Sequence, residues 1–129
     1  MTGTTVLCDM EAGLGTVLRL QPGQVDVVLV VAEPTAKAMD VAARAARVAE
    51  RRAARVIVVA NKVRGDEDVD LIRTAVGDHD LAPVPTDASV EQADRDGIAP
   101  IDLAPNSPAV RALVALARQL DPSSARSSG

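Results

Sequence analysis

Two apolar runs constrain this chain more than any other feature: Val25-Asp26-Val27-Val28-Leu29-Val30-Val31-Ala32 and Arg55-Val56-Ile57-Val58-Val59-Ala60. Neither alternates apolar with polar residues, as a strand with one wet face would. Each therefore needs cover on both faces, the condition of a central strand in a parallel sheet. Glu33-Pro34 stops the first run and Asn61-Lys62-Val63-Arg64-Gly65 ends the second. Polar residues thus collect where strands finish.

The segments between and around these runs read as helices and short strands. Thr35 is placed to cap a helix over residues 36–53, with Ala38, Val41, Ala42, Ala45, Val48 and Ala49 on one stripe and Asp40 in ion-pair spacing with Arg44. Asp66, Glu67 and Asp68 open a second helix, where the N-terminal dipole favours acids, and Gly77 ends it. Leu81-Ala82-Pro83-Val84-Pro85 reads as a short strand confined to a sheet edge, because proline cannot donate to a ladder. Ser89 and Gln92 stand at capping-box spacing for a helix over 89–95, residues 96–105 read as irregular, and a closing helix carries Val110, Leu113, Val114, Ala117 and Leu120 on one face. At the front, residues 5–10 read as a strand that ends at an acid and breaks into the turn Glu11-Ala12-Gly13-Leu14-Gly15. The expected fold class is α/β, three layers around a mainly parallel sheet of about four strands with flanking helices. One domain is expected over residues 1–120, with a disordered Ser-rich tail over 121–129.

Composition narrows the function classes. A formal charge of −4 argues against nucleic-acid binding, and the absence of Phe, Tyr and Trp excludes base stacking on aromatic rings and leaves the core to Val, Ala, Leu and Ile. Cys8 is the sole cysteine, so an internal disulfide or a thiolate cluster is excluded and a cytoplasmic setting is expected. In an apolar strand Cys8 is expected to be buried and inert. No apolar run reaches the length of a membrane span. His79, between Asp78 and Asp80, reads as a solvated loop residue, not a ligand.

Four segments in order carry a family likeness: Val6-Leu7-Cys8-Asp9-Met10-Glu11-Ala12-Gly13, Val28-Leu29-Val30-Val31-Ala32-Glu33-Pro34-Thr35, Val56-Ile57-Val58-Val59-Ala60-Asn61-Lys62 and Val84-Pro85-Thr86-Asp87. Through them the chain resembles the MinD/ParA-like ATPases of the P-loop superfamily, most closely the CooC-type ATPases that serve nickel insertion into carbon monoxide dehydrogenase. The resemblance implies ATP or ADP with Mg²⁺. It implies that Asp9 is the Walker B aspartate, holding Mg²⁺ through water, and that Gly13 lies in the switch II segment that senses the γ-phosphate. It further implies that Asn61, with Lys62 beside it, reads the adenine edge while Pro85, Thr86 and Asp87 close over the base. Taken alone, Asp9 and Gly13 read equally well as a turn, Asn61 as a backbone cap and Lys62 as a solvated head.

One departure is large. The family's phosphate loop follows G-x-x-x-x-G-K-[ST], whereas the only lysines here, Lys37 and Lys62, do not follow a glycine. Gly13-Leu14-Gly15-Thr16 lacks the lysine, and the family's metal-binding cysteine pair is missing. The expectation is a truncated or split ATPase domain, carrying switch II and adenine-recognition segments, inactive alone and working with a P-loop-bearing partner chain or as a homodimer. The alternative is a non-catalytic interaction module that pairs, as a pseudo-subunit, with a complete P-loop ATPase. In the family the strand feeding the phosphate loop lies between the Walker B strand and the next. Here, therefore, the 5–10 strand must pair directly with the 25–32 strand, detach, or admit a strand from another polypeptide.

Overall fold

The computed structural model describes residues 5–9, 19 and 21–120. They fall into two compact units, one of Glu11–Thr86 and one of Asp87–Gly129 with Met1–Met10.

In the first unit the two apolar runs become neighbours. Strand β1 (Val25–Ala32) pairs in parallel with β2 (Ala53–Val63), setting Val28 opposite Val56 and Val30 opposite Val58. Strand β3 (Asp80–Pro85) joins the other side of β2, also in parallel, so the sheet runs β1-β2-β3. Pro83 and Pro85 thus lie on an outer strand, as their missing N–H groups require.

Helix α1 (Ala36–Ala49) connects β1 to β2, and α2 (Asp66–Val76) connects β2 to β3. Right-handed crossovers between strands laid down in sequence order put both helices on one sheet face, and α1 and α2 pack against each other there. Val28, Val30, Val56 and Val58 meet Ala42, Ala46 and Ala49 of α1 and Ile72 and Val76 of α2 in one apolar cluster. On the opposite face of β2, Ile57 and Val59 are also buried, which explains why this strand shows no alternation.

Helix α1 corrects two expectations. It stops at Ala49 instead of reaching residue 53, because Ala53 is already committed to β2 opposite Val25. Its inner stripe is Ala42, Ala43, Ala46 and Ala49, with Met39 beside it, while Val41 stands exposed. The smallest side chains face the sheet, where they permit close approach, and the valines move to the flanks. Thr35 caps the helix as expected, its hydroxyl accepting from the Ala38 N–H at 3.3 Å, and Arg44 pairs with Asp40 at 3.1 Å.

The second unit holds α3 (Ala88–Asp96), α4 (Pro100–Leu103) and α5 (Pro108–Leu120). The cap of α3 is Asp87 and not Ser89, and Gly97 closes the helix at φ 67°, a left-handed conformation suited to glycine. Helix α4 falls in the stretch read as irregular, started by a proline at its first position, where the missing N–H costs nothing. The buried face of α5 is Ala109, Val110 and Leu116, with Leu113 exposed, so the helix is rotated from the stripe its larger residues marked.

Residues 5–9, the described part of the expected first strand, are not in a strand. They take no ladder position, and Val6 and Leu7 are 78% and 83% exposed. Cys8 is consequently exposed, not buried. The turn at 11–15 with Gly13 and the tail at 121–129 lie outside the described residues. No helix among those described is long and apolar enough to cross a membrane.

Candidate functional site

Polar residues meet at the carboxyl ends of the three parallel strands. Glu33 follows β1, Asn61 and Lys62 close β2, and Pro85 and Thr86 close β3. The sheet brings them together directly: Asn61 is in register with Val84, the neighbour of Pro85, and the Thr86 N–H donates to the Val63 carbonyl at 2.9 Å. The β2–β3 pairing breaks register between Asn61 and Val63, and Lys62 sits at φ 57°, left-handed and unusual for a non-glycine residue. A bulge at a strand end re-aims the side chains that leave it. Here Lys62 reaches across the sheet, its Nζ 3.2 Å from Oε1 of Glu33, while Asn61 remains half-buried. Glu33 is a site residue that sequence reasoning missed. Its only signal was an acid at a strand end, directly before a proline.

The turn after Lys62 is pinned from helix α2. Asp68, whose side chain is 7% exposed, accepts from the Arg64 backbone N–H at 2.9 Å and from its Nε at 3.0 Å through Oδ2, and from Nη2 at 3.2 Å through Oδ1. The Arg64 guanidinium and then its amide hold the Asp68 carboxyl below the usual carboxylate range, and Asp68 in turn pushes Arg64 up. Such a carboxylate stabilises the fold above its ordinary range, and that contribution is lost as pH falls through its lowered folded value. Asp68→Asn is therefore expected to be less stable than the wild type at neutral pH, with the gap closing on acidification. Thermal unfolding followed by circular dichroism across the acid range reads this directly; a gap that widens toward acid would contradict it.

Asp87, expected in the loop over the base, is otherwise engaged within the second unit. Its Oδ1 accepts from the Ser89 N–H at 2.9 Å and its Oδ2 from the Ala109 N–H at 3.0 Å, so one carboxylate caps the starts of α3 and α5. The Ala109 amide, reinforced by Ser89 and Ser107, lowers the affinity of Asp87 for a proton. The sequence offered a simple signal for this role, an acid directly before a helix.

Asp9 is exposed and outside the ladder. Gly13 lies outside the described residues. Among the described residues no cluster of three or more His, Cys, Asp or Glu side chains could hold a metal ion. The carboxyl edge carries one half-buried amide side chain, Asn61, which offers both a donor and an acceptor. Lys62 is drawn to Glu33 in a solvent-exposed pair, and no glycine-rich N–H cradle stands beside it among the described residues.

A parallel α/β sheet with its polar side chains gathered at the carboxyl edge is the arrangement in which nucleotide-type ligands are bound in open sheets. No family model matches the chain. Among curated proteins it is similar to the carbon monoxide dehydrogenase accessory protein CooC of Rhodospirillum rubrum, at 32% identity over 102 residues, which is 78% of this chain and 39% of that protein. The chain thus spans well under half the length of the curated relative it matches.

Proposed function

We propose that this chain is the base-binding part of a CooC-like, MinD/ParA-type ATPase. Asn61 would supply a donor and an acceptor to the adenine edge, and Pro85 and Thr86 would border the base. The observation that carries this reading is the convergence of Glu33, Asn61, Lys62 and Thr86 at the carboxyl ends of parallel strands, supported by the similarity to CooC. Asp87 would act by fixing helix starts, and Asp9 and Gly13 retain the Mg²⁺-water and γ-phosphate roles only as the family implies them. A phosphate loop would have to come from outside these residues, from a partner chain or a second subunit, before bound ATP and Mg²⁺ could undergo attack by water. The chain's own contribution is to hold and orient the base.

Calorimetry with ATP and ADP tests this. Weak adenine-nucleotide binding by the chain alone is expected, lowered about tenfold or more by Asn61→Ala, as befits loss of a paired polar contact. No ATP turnover is expected. Mg²⁺-dependent hydrolysis by the isolated chain, or binding indifferent to Asn61→Ala, would overturn the proposal.

A further inference from the structure

Strand β1 is the second outer member of the sheet, and it is built unlike β3. Two prolines deny β3 N–H groups that a further strand would need, a common device for keeping an outer strand from pairing. β1 has no such device. From Val27 to Ala32 it carries no proline, glycine or charge, and among the described residues β2 is its sole ladder neighbour. Val31 is 60% exposed. The outward N–H and C=O groups of such a strand are satisfied best by another extended backbone.

An apolar stripe runs beside this edge. Helix α1 packs on β1 and β2 and has α2 along one flank. Glu50 marks that flank, since its Oε2 meets the ring of His79, just beyond the end of α2, at 3.0 Å. At about 100° per residue, Ala38, Val41, Ala45 and Val48 fall on the opposite flank, over the outer side of β1. Val41 is 43% exposed, and the other three are only partly buried. Their spacing alternates three and four residues, the repeat by which two helices mesh along a seam.

We propose that this side of the domain binds a second copy of the chain about a two-fold axis, with β1 antiparallel to its counterpart and the two α1 stripes in contact. The occupant follows from self-complementarity, which a two-fold contact requires. Pairing β1 about Leu29 sets Val27 opposite Val31 and Val28 opposite Val30, keeps the helices of both copies on one sheet face, and places Asp26 opposite Ala32, away from any acid. Meshing the stripes about position 43 sets Val41 opposite Ala45 and Ala38 opposite Val48. One axis serves both pairings. Leu29 lies about 10 Å before the end of β1, and position 43 about 10 Å past the start of α1, which runs back along the strand. The charges agree as well: Asp40 and Arg44, 3.1 Å apart within one copy, border the stripe, and the antiparallel run brings Asp40 of each copy alongside Arg44 of the other.

Sedimentation equilibrium of the whole chain without nucleotide, from micromolar to millimolar concentration, tests this separately from base binding. A monomer–dimer equilibrium is expected, with amide exchange along residues 26–32 slowing as the dimer forms. Val41→Lys sets an ammonium group against the apolar seam and should weaken association about tenfold or more, as should Val31→Lys on the strand. Both positions are exposed in the single chain, so the thermal midpoint at monomeric dilution should stay at the wild-type value. Leu71→Lys, 49% exposed on α2 and outside the proposed contact, should leave association unchanged. A monomer at every concentration, whether the edge is closed by the same chain or kept for a different protein, would overturn the proposal. So would a dimer whose β1 amides exchange no more slowly, or equal weakening by Leu71→Lys.

Discussion

Ile72→Ala is expected to lower the unfolding free energy by about 3 kcal/mol, in the range for deleting a buried branched side chain and leaving a cavity. Ile72 has no solvent exposure and is the bulkiest member of a cluster otherwise made of valines and alanines. Its position is what makes the loss large. The cavity would open where α2 meets both α1 and the sheet, and alanine and valine neighbours are too short to reach across it. Ile72→Val removes one methylene and should cost about 1 kcal/mol. Denaturant unfolding of both variants gives the comparison. If the alanine variant lost no more than the valine one, α2 would be collapsing onto the gap, and the tight helix packing described above would be wrong.

Ala46→Leu is the opposite test, and a cost of about 2 kcal/mol is expected from overpacking. Ala46 is fully buried on the stripe of α1 that lies against β1 and β2. Leucine is almost as good a helix former as alanine, so propensity cannot account for a loss of that size. The loss would come from pushing α1 off the sheet. Arg47→Leu, one position along on the exposed side, should change stability by no more than about 0.5 kcal/mol. Equal effects at 46 and 47 would mean that the helix face has been misplaced. The pair of tests treats the core from both sides, since a cluster of small side chains punishes a gap and an excess alike.

Much of the sheet was legible because its signals are local. An unalternating valine run can be satisfied in few ways, so β1 appeared at its expected residues, and the two prolines located β3 on an outer strand. Helix faces were less legible. The Ala-rich stripe expected for α1 held at Ala42 and Ala49 but turned toward Ala43 and Ala46 and away from Val41, and in α5 Val110 faces inward as expected while Leu113 faces out. Hydrophobicity alone does not report how close two elements must come. Residues 5–9 of the strand expected at 5–10 take no ladder position for a different reason: a strand also needs a neighbour, which no pattern within six residues can promise.

The site divides in the same way. Asn61 and Lys62 were legible as the polar end of an apolar strand, and the sheet does set them beside Pro85 and Thr86. Glu33 was not, because its partner Lys62 is brought to it only by the pairing of β1 with β2. His79 was expected to be solvated for a similar reason, since its acid-rich sequence context says nothing of Glu50, twenty-nine residues away, against which it is largely buried. Asp87 was expected beside the base, and its capping of two helix starts was not foreseen.

The order of the strands also governs how the sheet can be assembled. Each strand pairs only with the next one along the chain, and β2 is the member shared by both pairings. Every pairing therefore closes one loop of moderate length, a topology that folds faster than sheets built from distant segments. Both βαβ halves depend on that shared strand. A fault in β3 leaves β1, α1 and β2 able to associate, whereas a fault in β2 deprives both halves of their nucleus, so folding rates should be most sensitive to substitutions along residues 56–60.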